Sequence, residues 1–502
     1  MTQIEVPPAV GSQREVLAQK RRDRMNYKTP TGGREFTARE RAEMFVDAGT
    51  FVEISPMRTP RANSYGAARA DDASGVIVGW GMVEGRPVVV VSHDFSVASG
   101  AIGSVFAENV QRAQRMGIDK GYPIVYINDS GGARIHDGID ALHGCGGIFA
   151  LNVEANYRVP QISLILGPCA GAAAYSPALT DWTIMVKGQG QMFLTGPAIV
   201  KAATGEDAHP DDIGGSTLHT KESGVAHLEV ASETDAFVAA RLLLSFLPSA
   251  IGDPQRVVAP IAPNAVAEYS LPTLVPERTS QIFDMKTLLA GVVDDAPGLE
   301  MMPTFGTSTL TQFARIDGRP VGIVASQPKS RGGILDSKSS VKVARFVEFC
   351  GRFGLPIVTF VDVPGFIPGS VEEKRGIITH GAKVLRAYLE TKTPKLTVIV
   401  RKAYGGAYIA MGARSLGADL SWAWTGSEIA VMGPGGAVGL LHRRRLAEAD
   451  DPIALREELA AEYRQEVANP YLAAEAGIVD DVILPEETRS KLADALTLLS
   501  PK

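Results

Sequence analysis

Two short turns of glycine and alanine contain residue types that could do chemistry through the backbone. The pairs Gly171-Ala172 and Gly406-Ala407 each follow an apolar segment typical of a buried strand. Without large side chains, the N–H groups of such a turn can approach a ligand closely, and at the start of a helix they are unpaired and favour an anion. Two such donors can form an oxyanion hole. Small residues at a strand–helix junction also serve close packing, so one turn alone does not decide its role.

Other signatures of catalysis are missing from the sequence. It contains no His-Glu-x-x-His zinc motif, no Gly-x-Ser-x-Gly elbow and no P-loop. Cys145, Cys169 and Cys350 lack the spacing of metal ligands, and an odd number of cysteines is not typical of a disulfide framework. We therefore expect no metal in this chain and a reaction that depends on backbone donors.

The two turns belong to a weak internal repeat. Gly85-Arg86-Pro87-Val88 recurs 233 positions later as Gly318-Arg319-Pro320-Val321. A repeated pair of oxyanion holes suits a reaction in which negative charge develops on two different oxygens. Further matches at the same or nearly the same offset join Gly100 to Gly333, Arg112 to Arg345, Gly121 to Gly354, Pro123-Ile124-Val125 to Pro356-Ile357-Val358, Pro160 to Pro394, and Gly196-Pro197 to Gly433-Pro434.

Each copy alternates apolar strand segments with amphipathic helices. This alternation predicts βαβ units, parallel strand pairing and the α/β class. The first copy places Phe106, Val110 and Ala113 at helical spacing. We predict an N-terminal extension over residues 1–34, a first domain over 35–253, a proline-rich linker over 254–290 and a second domain over 291–502.

Bulk properties exclude several classes of protein. A net charge of −6 over 502 residues gives no general attraction to nucleic acid or to anionic membranes. The longest apolar runs are far below the ~20 residues that a membrane helix needs. The N-terminus shows no signal peptide, and the sparse cysteines fit a reducing compartment. We expect a cytoplasmic protein.

Ordered motifs over about residues 35–498 resemble the carboxyltransferase β subunits of acetyl- and propionyl-CoA carboxylases, in particular those of actinobacteria. The resemblance implies two tandem domains of the crotonase-like (ClpP/crotonase) fold, each a ββα-superhelix, that arose by internal duplication. The motifs are Thr37–Arg41, Asp47–Glu53, Asp129–Ile135, Cys169–Ala178, Phe360–Phe366, Tyr404–Tyr408, Glu428–Gly433 and Gly477–Ile483.

The resemblance also implies an activity and its partners. Carboxybiotin, carried by a separate biotin carboxylase and carrier (α) subunit that uses ATP and bicarbonate, would donate its carboxyl group to an acyl-CoA. The first domain of one subunit would bind CoA and the second domain of its neighbour would bind biotin. The active unit would therefore be a homo-oligomer, commonly a hexamer, with a small ε subunit as a further partner.

The resemblance assigns Gly171-Ala172 and Gly406-Ala407 as the two oxyanion-hole turns, without indicating which of them serves biotin. The loop Gly131-Gly132-Ala133-Arg134 resembles the acyl-CoA side, although a purely structural turn is the alternative. The implied mechanism needs no protein base, so we interpret His136 and His143 as structural. The residues implied to line the substrate sites are Tyr175, Gly405, Tyr408 and Ile409.

One position bears on the choice of substrate. Propionyl-preferring members of the family often have aspartate where this chain has Ile409. Acetyl-CoA is therefore the predicted substrate and propionyl-CoA the second. A biotin-dependent decarboxylase or transcarboxylase is the alternative function, because it uses the same fold and residues in the reverse direction.

Overall fold

The structure is a computed structural model that describes residues 10–25, 34–59 and 73–499. The chain divides into two compact units. Unit 1 comprises Met1–Leu218 and Glu229–Val238, and unit 2 comprises His219–Leu228 and Ala239–Lys502. Of the predicted N-terminal extension, only a helix over residues 10–25 and Arg34 are described; the rest lies outside the described residues.

Unit 1 is built on one eight-stranded sheet. Its strands are β1 (Val52–Glu53), β2 (Val76–Val83), β3 (Arg86–His93), β4 (Ile124–Ser130), β5 (Gln161–Ala170), β6 (Trp182–Val186), β7 (Gln191–Phe193) and β8 (Leu228–Val230). They lie in the order β1-β2-β3-β4-β5-β6-β8, and β7 pairs with β5. The pairs β1/β2 and β2/β3 are antiparallel, while β3, β4, β5 and β6 are parallel neighbours.

The helices of unit 1 connect these strands. They are α1 (Val10–Met25), α2 (Ala38–Phe45), α3 (Ser104–Lys120), α4 (Ile139–Ala155), α5 (Ala172–Leu179), α6 (Pro197–Thr204), α7 (Pro210–Gly214) and α8 (Ser216–Leu218), with single 3₁₀ turns at Ala98–Gly100 and Ile135–Asp137. Helix α9 (Glu233–Phe246) continues across the division between the units.

Unit 2 is built on a second eight-stranded sheet of the same design. Its strands are β9 (Leu299–Glu300), β10 (Thr309–Ile316), β11 (Arg319–Ser326), β12 (Ile357–Val363), β13 (Lys395–Tyr404), β14 (Leu420–Trp424), β15 (Glu428–Ala430) and β16 (Asp481–Ile483). They lie in the order β9-β10-β11-β12-β13-β14-β16, and β15 pairs with β13. Antiparallel pairing at β9/β10/β11 again gives way to parallel pairing from β11 to β14.

The helices of unit 2 include a longer C-terminal set. They are α10 (Ala265–Leu274), α11 (Met285–Ala290), α12 (Ser337–Arg352), α13 (Ser370–Lys374), α14 (Ile377–Glu390), α15 (Gly405–Ala410), α16 (Pro434–Leu441), α17 (Arg443–Ala447), α18 (Pro452–Glu466), α19 (Pro470–Glu475) and α20 (Thr488–Leu499). A π-helical turn at His219–Ser223 and 3₁₀ turns at Arg331–Gly333, Arg414–Leu416 and Pro485–Glu487 complete the unit.

The predicted repeat and the predicted α/β class are confirmed. Strands β2, β3 and β4 correspond to β10, β11 and β12 at an offset of 233, with the same lengths in both copies. Strands β5 and β13 are both ten residues long at an offset of 234. Both β4 and β12 are buried along their whole length, as expected for parallel strands covered on two faces.

Corresponding helices also have corresponding buried faces. Phe106, Val110 and Ala113 of α3 are buried, so their predicted helical spacing is confirmed, and Val343 and Phe346 of α12 are buried in the second copy. Helix α12 begins with a capping box in which Asp336 accepts from the backbone N–H of Ser339 at 2.7 Å. Among the described residues, no helix combines the length and apolarity that crossing a membrane requires.

In each unit a carboxylate accepts hydrogen bonds from the backbone of the equivalent hairpin turn. Asp294 accepts from the backbone N–H groups of Asp317 (2.9 Å) and Gly318 (2.8 Å) in the β10–β11 turn. Asp47 accepts from the corresponding residues of the β2–β3 turn, Glu84 and Gly85. Glu84 and Asp317, the first residues of these turns, have positive φ although they are not glycine. The hydrogen bonds to the carboxylate offset the cost of this unfavourable backbone conformation.

The predicted linker over residues 254–290 is not a linker in the structure. The division between the units falls at Val238, not at 253, and residues 254–290 belong to unit 2. Asn264 caps α10, and Leu271, Phe283 and Met285 are buried in the core of unit 2. The prolines predicted irregular backbone correctly, but they do not prevent neighbouring apolar side chains from packing into a core.

Lys342 is a buried lysine that should make stability depend on pH. It is 1% exposed on α12, and its Nζ donates to the backbone oxygen of Thr309 at 2.8 Å. Burial lowers its pKa from 10.5 to about 7. The unfolded chain therefore binds more protons between these two pKa values, and stability should rise with pH across that window. We expect the free energy of unfolding of the wild type, relative to Lys342→Met, to increase between about pH 7 and about pH 9 in denaturant titrations.

A matched control is Lys383→Met, which removes an exposed lysine from α14. Its unfolding free energy should keep a constant difference from that of the wild type over the same pH range. An equally constant difference for Lys342→Met would contradict the prediction.

Candidate active site

In unit 1 the predicted turn lies where β5 becomes α5. Gly171 adopts φ 56° and ψ −121°, a backbone conformation that residues other than glycine rarely adopt. Its N–H donates to the backbone oxygen of Phe193 at 3.0 Å, which fixes the turn against β7. Ala172 is the first helical residue, so its N–H lies at the end of α5 where helices leave donors without helical partners. This arrangement can present backbone donors to an anion.

In unit 2 the predicted turn lies where β13 becomes α15. Gly405 has φ 58° and is the first residue of the helix, followed by Gly406 and Ala407. Tyr404, the last residue of β13, donates its hydroxyl to the carboxylate of Glu428, which fixes the end of β13 against β15. The backbone of this turn therefore starts from a fixed point, as it does in unit 1.

The structure corrects the register between the two turns. Strands β5 and β13 end at Ala170 and Tyr404, so Gly171 corresponds to Gly405 and Ala172 corresponds to Gly406. The predicted pairs Gly171-Ala172 and Gly406-Ala407 are therefore offset from each other by one residue in the repeat, and their role as oxyanion holes stays a prediction. Sequence matching followed the Gly-Ala pair, whereas the positive φ identifies the equivalent glycines. Ala172 is helical, so it supplies its N–H without needing glycine.

The loop Gly131–Arg134 packs closely against β5. A Cβ on Gly132 would lie 2.8 Å from the backbone oxygen of Ala170, and Gly132 has φ 103°, so this position requires glycine. Ala133 forms an isolated parallel bridge with Ile102, and the N–H of Gly131 donates to Ser99 at 2.8 Å. The loop therefore supports the end of β5, and its contact with acyl-CoA stays a prediction.

Arg134 lies within unit 1 beside Asp137. Its side chain is only 11% exposed, and its Nε is 3.6 Å from Oδ1 of Asp137. Asp137 in turn accepts from the N–H of Ser104 at 2.9 Å, at the start of α3. These contacts are those of a structural residue, and contact between Arg134 and a substrate stays a prediction.

The other predicted site residues differ in exposure. Tyr175 on α5 is half exposed and meets Phe149 edge to face, with 6.0 Å between ring centroids. Ile409 on α15 is 42% exposed. Tyr408 is 8% exposed, burial raises its pKa to about 12, and its hydroxyl has no hydrogen-bond partner among the described residues. Tyr408 lines a cleft of about 420 Å³ together with Ala413, Arg414, Ser415, Gly477 and Ile478.

A buried histidine lies near the site in unit 1, whereas the two histidines noted in the sequence are exposed. His136 and His143 lie on the surface. His93 is 6% exposed, and burial lowers its pKa to about 4, so it is neutral at physiological pH. Its Nδ1 lies 3.4 Å from the N–H of Asp129, at the end of β4. Its role in the fold was not visible in the sequence because nothing near it resembles a motif.

Buried ion pairs beside the turns are a second feature that the sequence analysis did not single out. Asp129 pairs with Arg41 in unit 1, and Asp362 pairs with Arg401 in unit 2. The two aspartates are 233 positions apart, so the repeat offset could have identified them as equivalent. No group of three or more His, Cys, Asp or Glu side chains in residues 10–25, 34–59 and 73–499 could hold a metal ion.

Comparisons with known proteins place this geometry in a family. The carboxyl transferase domain family matches residues 31–502. The chain is 48% identical over 470 residues to a propionyl-CoA carboxylase carboxyltransferase subunit of Haloferax mediterranei, covering 93% of this chain and 91% of that protein. It is 45% identical over 469 residues to methylmalonyl-CoA decarboxylase subunit alpha of Veillonella parvula, with the same coverage.

A solved structure extends the similarity to the whole fold. The transcarboxylase 12S hexamer, with methylmalonyl-CoA and methylmalonic acid bound, matches with a TM-score of 0.91 and 41% identity over 99% of this chain and 96% of that one. The predicted pair of tandem crotonase-like domains is thereby confirmed. The chain belongs to the carboxyl transferase domain family, and it is a biotin-dependent carboxyltransferase that acts on acyl-CoA.

Proposed function

We propose that this chain transfers the carboxyl group of carboxybiotin, presented by a separate carrier subunit, to the α-carbon of acetyl-CoA or propionyl-CoA. The observation that carries the proposal is the pair of strand–turn–helix junctions at Gly171 and Gly405, each at the same place in its copy of the fold. Two donor sets match a reaction that develops charge on two oxygens, the thioester oxygen and the ureido oxygen.

Backbone donors on the chain are the groups that we propose for these two oxygens. The N–H groups of Ala172 and Gly406 would stabilise the charge, and we assign Gly171-Ala172 to the acyl-CoA side and the Gly405–Ala407 turn to the biotin side. The buried hydroxyl of Tyr408, without a partner among the described residues, adds a donor in the same unit as the second turn. Carboxybiotin would supply the carboxyl group, and the ureido group left by its release would take the α-proton of the substrate before the new C–C bond forms. The ureido oxygen of biotin is an acceptor, which suits these donors.

We propose that both acetyl-CoA and propionyl-CoA are substrates and that Ile409 sets the ratio between them. The relative from Haloferax mediterranei is named for propionyl-CoA, whereas isoleucine at position 409 favours acetyl-CoA. Ile409 lies on α15 four residues after Gly405 and is partly exposed, so its side chain can contact a ligand at the turn. The preference for acetyl-CoA stays a prediction.

Ile409→Asp should shift the preference towards propionyl-CoA. Aspartate is smaller and leaves room for one additional methylene, which is worth about 1–3 kcal/mol in a tight pocket. We expect the ratio of kcat/KM for propionyl-CoA to that for acetyl-CoA to rise by about 10-fold. Ile453→Asp, on the exposed surface of α18, is the control and should leave the ratio unchanged. An unchanged ratio in Ile409→Asp would remove this residue from the specificity site.

The decisive assay combines the purified chain with its biotinylated carrier partner, ATP and bicarbonate. Acetyl-, propionyl- and butyryl-CoA are then tested as acceptors by following incorporation of labelled bicarbonate. The proposal expects ATP-dependent carboxylation of the two shorter esters. The absence of carboxylation for every ester, with an active carrier partner, would overturn it.

The reverse direction is the second candidate function. The relative from Veillonella parvula is a methylmalonyl-CoA decarboxylase subunit with 45% identity to this chain, so family membership alone does not fix the direction. Direction follows from the partner that recharges or discharges biotin. Supplying malonyl-CoA and methylmalonyl-CoA with uncarboxylated carrier, in the absence of ATP, measures this reverse transfer directly.

We also propose a homo-hexamer in which the first half of one subunit faces the second half of its neighbour. The support is the transcarboxylase 12S structure, which is described as a hexamer and covers 99% of this chain. Light scattering of the purified chain tests the assembly. The biotin carboxylase and carrier (α) subunit is the proposed partner, and the small ε subunit stays a prediction.

A further inference from the structure

Asp129 and Asp362 occupy equivalent positions at the ends of β4 and β12. Both side chains are fully buried. The backbone N–H of each also has a matching acceptor: Asp129 donates to His93 and Asp362 donates to Ser326, which are themselves 233 positions apart. The same backbone hydrogen bond is present in two copies that share little sequence, which indicates that the two carboxylates have the same role.

Each aspartate lies beside an irregularity in the neighbouring strand. Asn128 pairs with Ile165 of β5, but Ser130 pairs with Cys169, so three residues of β5 stand opposite Asp129 alone. The pairing of β12 with β13 shifts in the same way around Asp362. Such bulges redirect a strand and are common next to active sites.

The strands change partners at these bulges. Residues 162–165 of β5 pair with β6, whereas residues 168–170 pair with β7. In β13, residues 396–399 pair with β14 and residues 402–404 pair with β15. The backbone turns of the proposed oxyanion holes begin one residue after these redirected segments, at Gly171 and Gly405. The geometry of the bulge therefore sets the direction in which each turn points.

In unit 2 the carboxylate holds the bulge directly. Oδ1 of Asp362 accepts from the backbone N–H of Lys402 at 2.9 Å. Arg401, also in the bulge, donates through Nη2 to Oδ2 at 2.8 Å. Arg401 continues to the backbone oxygen of Gln281 at 2.9 Å, so the bulge is connected to the segment before α11.

In unit 1 the carboxylate holds the bulge through a longer network. A Cβ on Gly167 would lie 2.0 Å from Oδ1 of Asp129, so the carboxylate touches the bulge itself. Arg41 donates to Asp129 at 3.0 Å and to Glu233 at 2.6 Å. Gln189 then joins Glu233 (2.6 Å) to the backbone oxygen of Leu166 in the bulge (2.7 Å).

We propose that Asp129 and Asp362 are positioning residues, whose arginine-paired carboxylates fix the bulges and thereby aim the N–H groups of Ala172 and Gly406 at the reacting oxygens. This inference rests on the proposed carboxyl transfer. Because the donors must be aligned before the transition state forms, a small displacement lowers kcat more than it weakens substrate binding.

The test uses Asp129→Asn and Asp362→Asn in the complete complex with the carrier partner. Asparagine keeps the size of the side chain but removes the charge that holds the arginine. We expect kcat to fall on the order of 10²-fold in each variant, while KM for acyl-CoA changes little. The matched control is Asp294→Asn, a buried aspartate paired with Arg489 at the β10–β11 turn, which should lower thermal stability without changing kcat.

A binding measurement separates positioning from a purely structural role. The probes are a CoA thioether ending in a nitro group, which mimics an enolate, and a plain alkyl CoA thioether of equal length. The ratio of their dissociation constants reports how well an oxyanion hole is aligned. On the assignment proposed above, Asp129→Asn should lose about 10-fold or more of this ratio. Asp362→Asn and Asp294→Asn should keep it.

The outcomes are distinguishable. Unchanged kcat in both variants, or an equal loss of kcat in Asp294→Asn, overturns the inference. Loss of the ratio in Asp362→Asn instead supports positioning and exchanges the two assignments. If Asp129→Asn or Asp362→Asn does not fold, Arg41→Lys or Arg401→Lys takes its place. Lysine keeps the charge of arginine but not its forked geometry, so the same loss of kcat is expected. If the wild-type complex is itself inactive, that result contradicts the proposed function and not this inference.

Discussion

Replacing Gly406 with proline should reduce carboxyl transfer by at least about 10²–10³-fold. Proline has no N–H, so the substitution removes the donor that the turn in unit 2 would present. Gly406 is the second residue of α15, a position where helices tolerate proline because the N–H has no helical partner. Loss of activity would therefore report the missing donor more than a broken helix.

The matched control is Gly406→Ala. A Cβ at this position meets nothing within 4 Å, and the equivalent residue in unit 1 is already alanine, Ala172. Gly406→Ala keeps the N–H and should retain most of the activity. Carboxyl transfer is measured with the complete complex, and ATP-dependent carboxylation of the carrier serves as the internal reference. Equal losses in the proline and alanine variants, or a loss of carrier carboxylation, would argue against a backbone donor at Gly406.

Arg41→Met should destabilise unit 1 by about 3–5 kcal/mol. Arg41 is 2% exposed and lies between two buried carboxylates, Asp129 and Glu233. Methionine fills much of the same volume, so the substitution removes the charge without opening a large cavity. It leaves Glu233 buried without a cation, which costs far more than losing a surface pair.

Arg39→Met on the same helix is the control for Arg41→Met. Arg39 also contacts two carboxylates, Glu43 and Glu53, but it is 25% exposed, so water screens the interaction. We expect a change of about 0–1 kcal/mol for this variant. Denaturant titration with a probe in unit 1 measures both values. Asp129 is also paired with Arg34 at 2.7 Å, so a similar small change for Arg41→Met would show that Glu233 finds another partner.

The apolar pattern of the sequence predicted the strands well. Buried parallel strands such as β4 and β12 are continuous apolar segments, and their offset of 233 is visible without any structure. The register of the two turns was not predictable in the same way. Backbone φ angles decide which glycine is equivalent to which, and the sequence shows only that several glycines are present near Gly171 and Gly405.

The ion pairs were beyond the reach of sequence analysis for a different reason. Arg41 lies 88 positions from Asp129 and 192 from Glu233, and charged residues are common in the sequence. Only the fold brings such partners together and excludes water from them. In unit 2 the cation for Asp362 comes from the adjacent strand, so the internal repeat also gives no indication of the partner in unit 1.

The β2–β3 and β10–β11 hairpin turns indicate where the second half of the protein starts. Asp294 follows α11 and precedes β9, just as Asp47 follows α2 and precedes β1. The repeated unit therefore includes the helix before its first strand. A fragment cut at residue 291 would lose Met285 and Leu288, which fill the core of unit 2. A separately expressed second half should begin upstream of Asn264, where the cap of α10 provides a natural first turn.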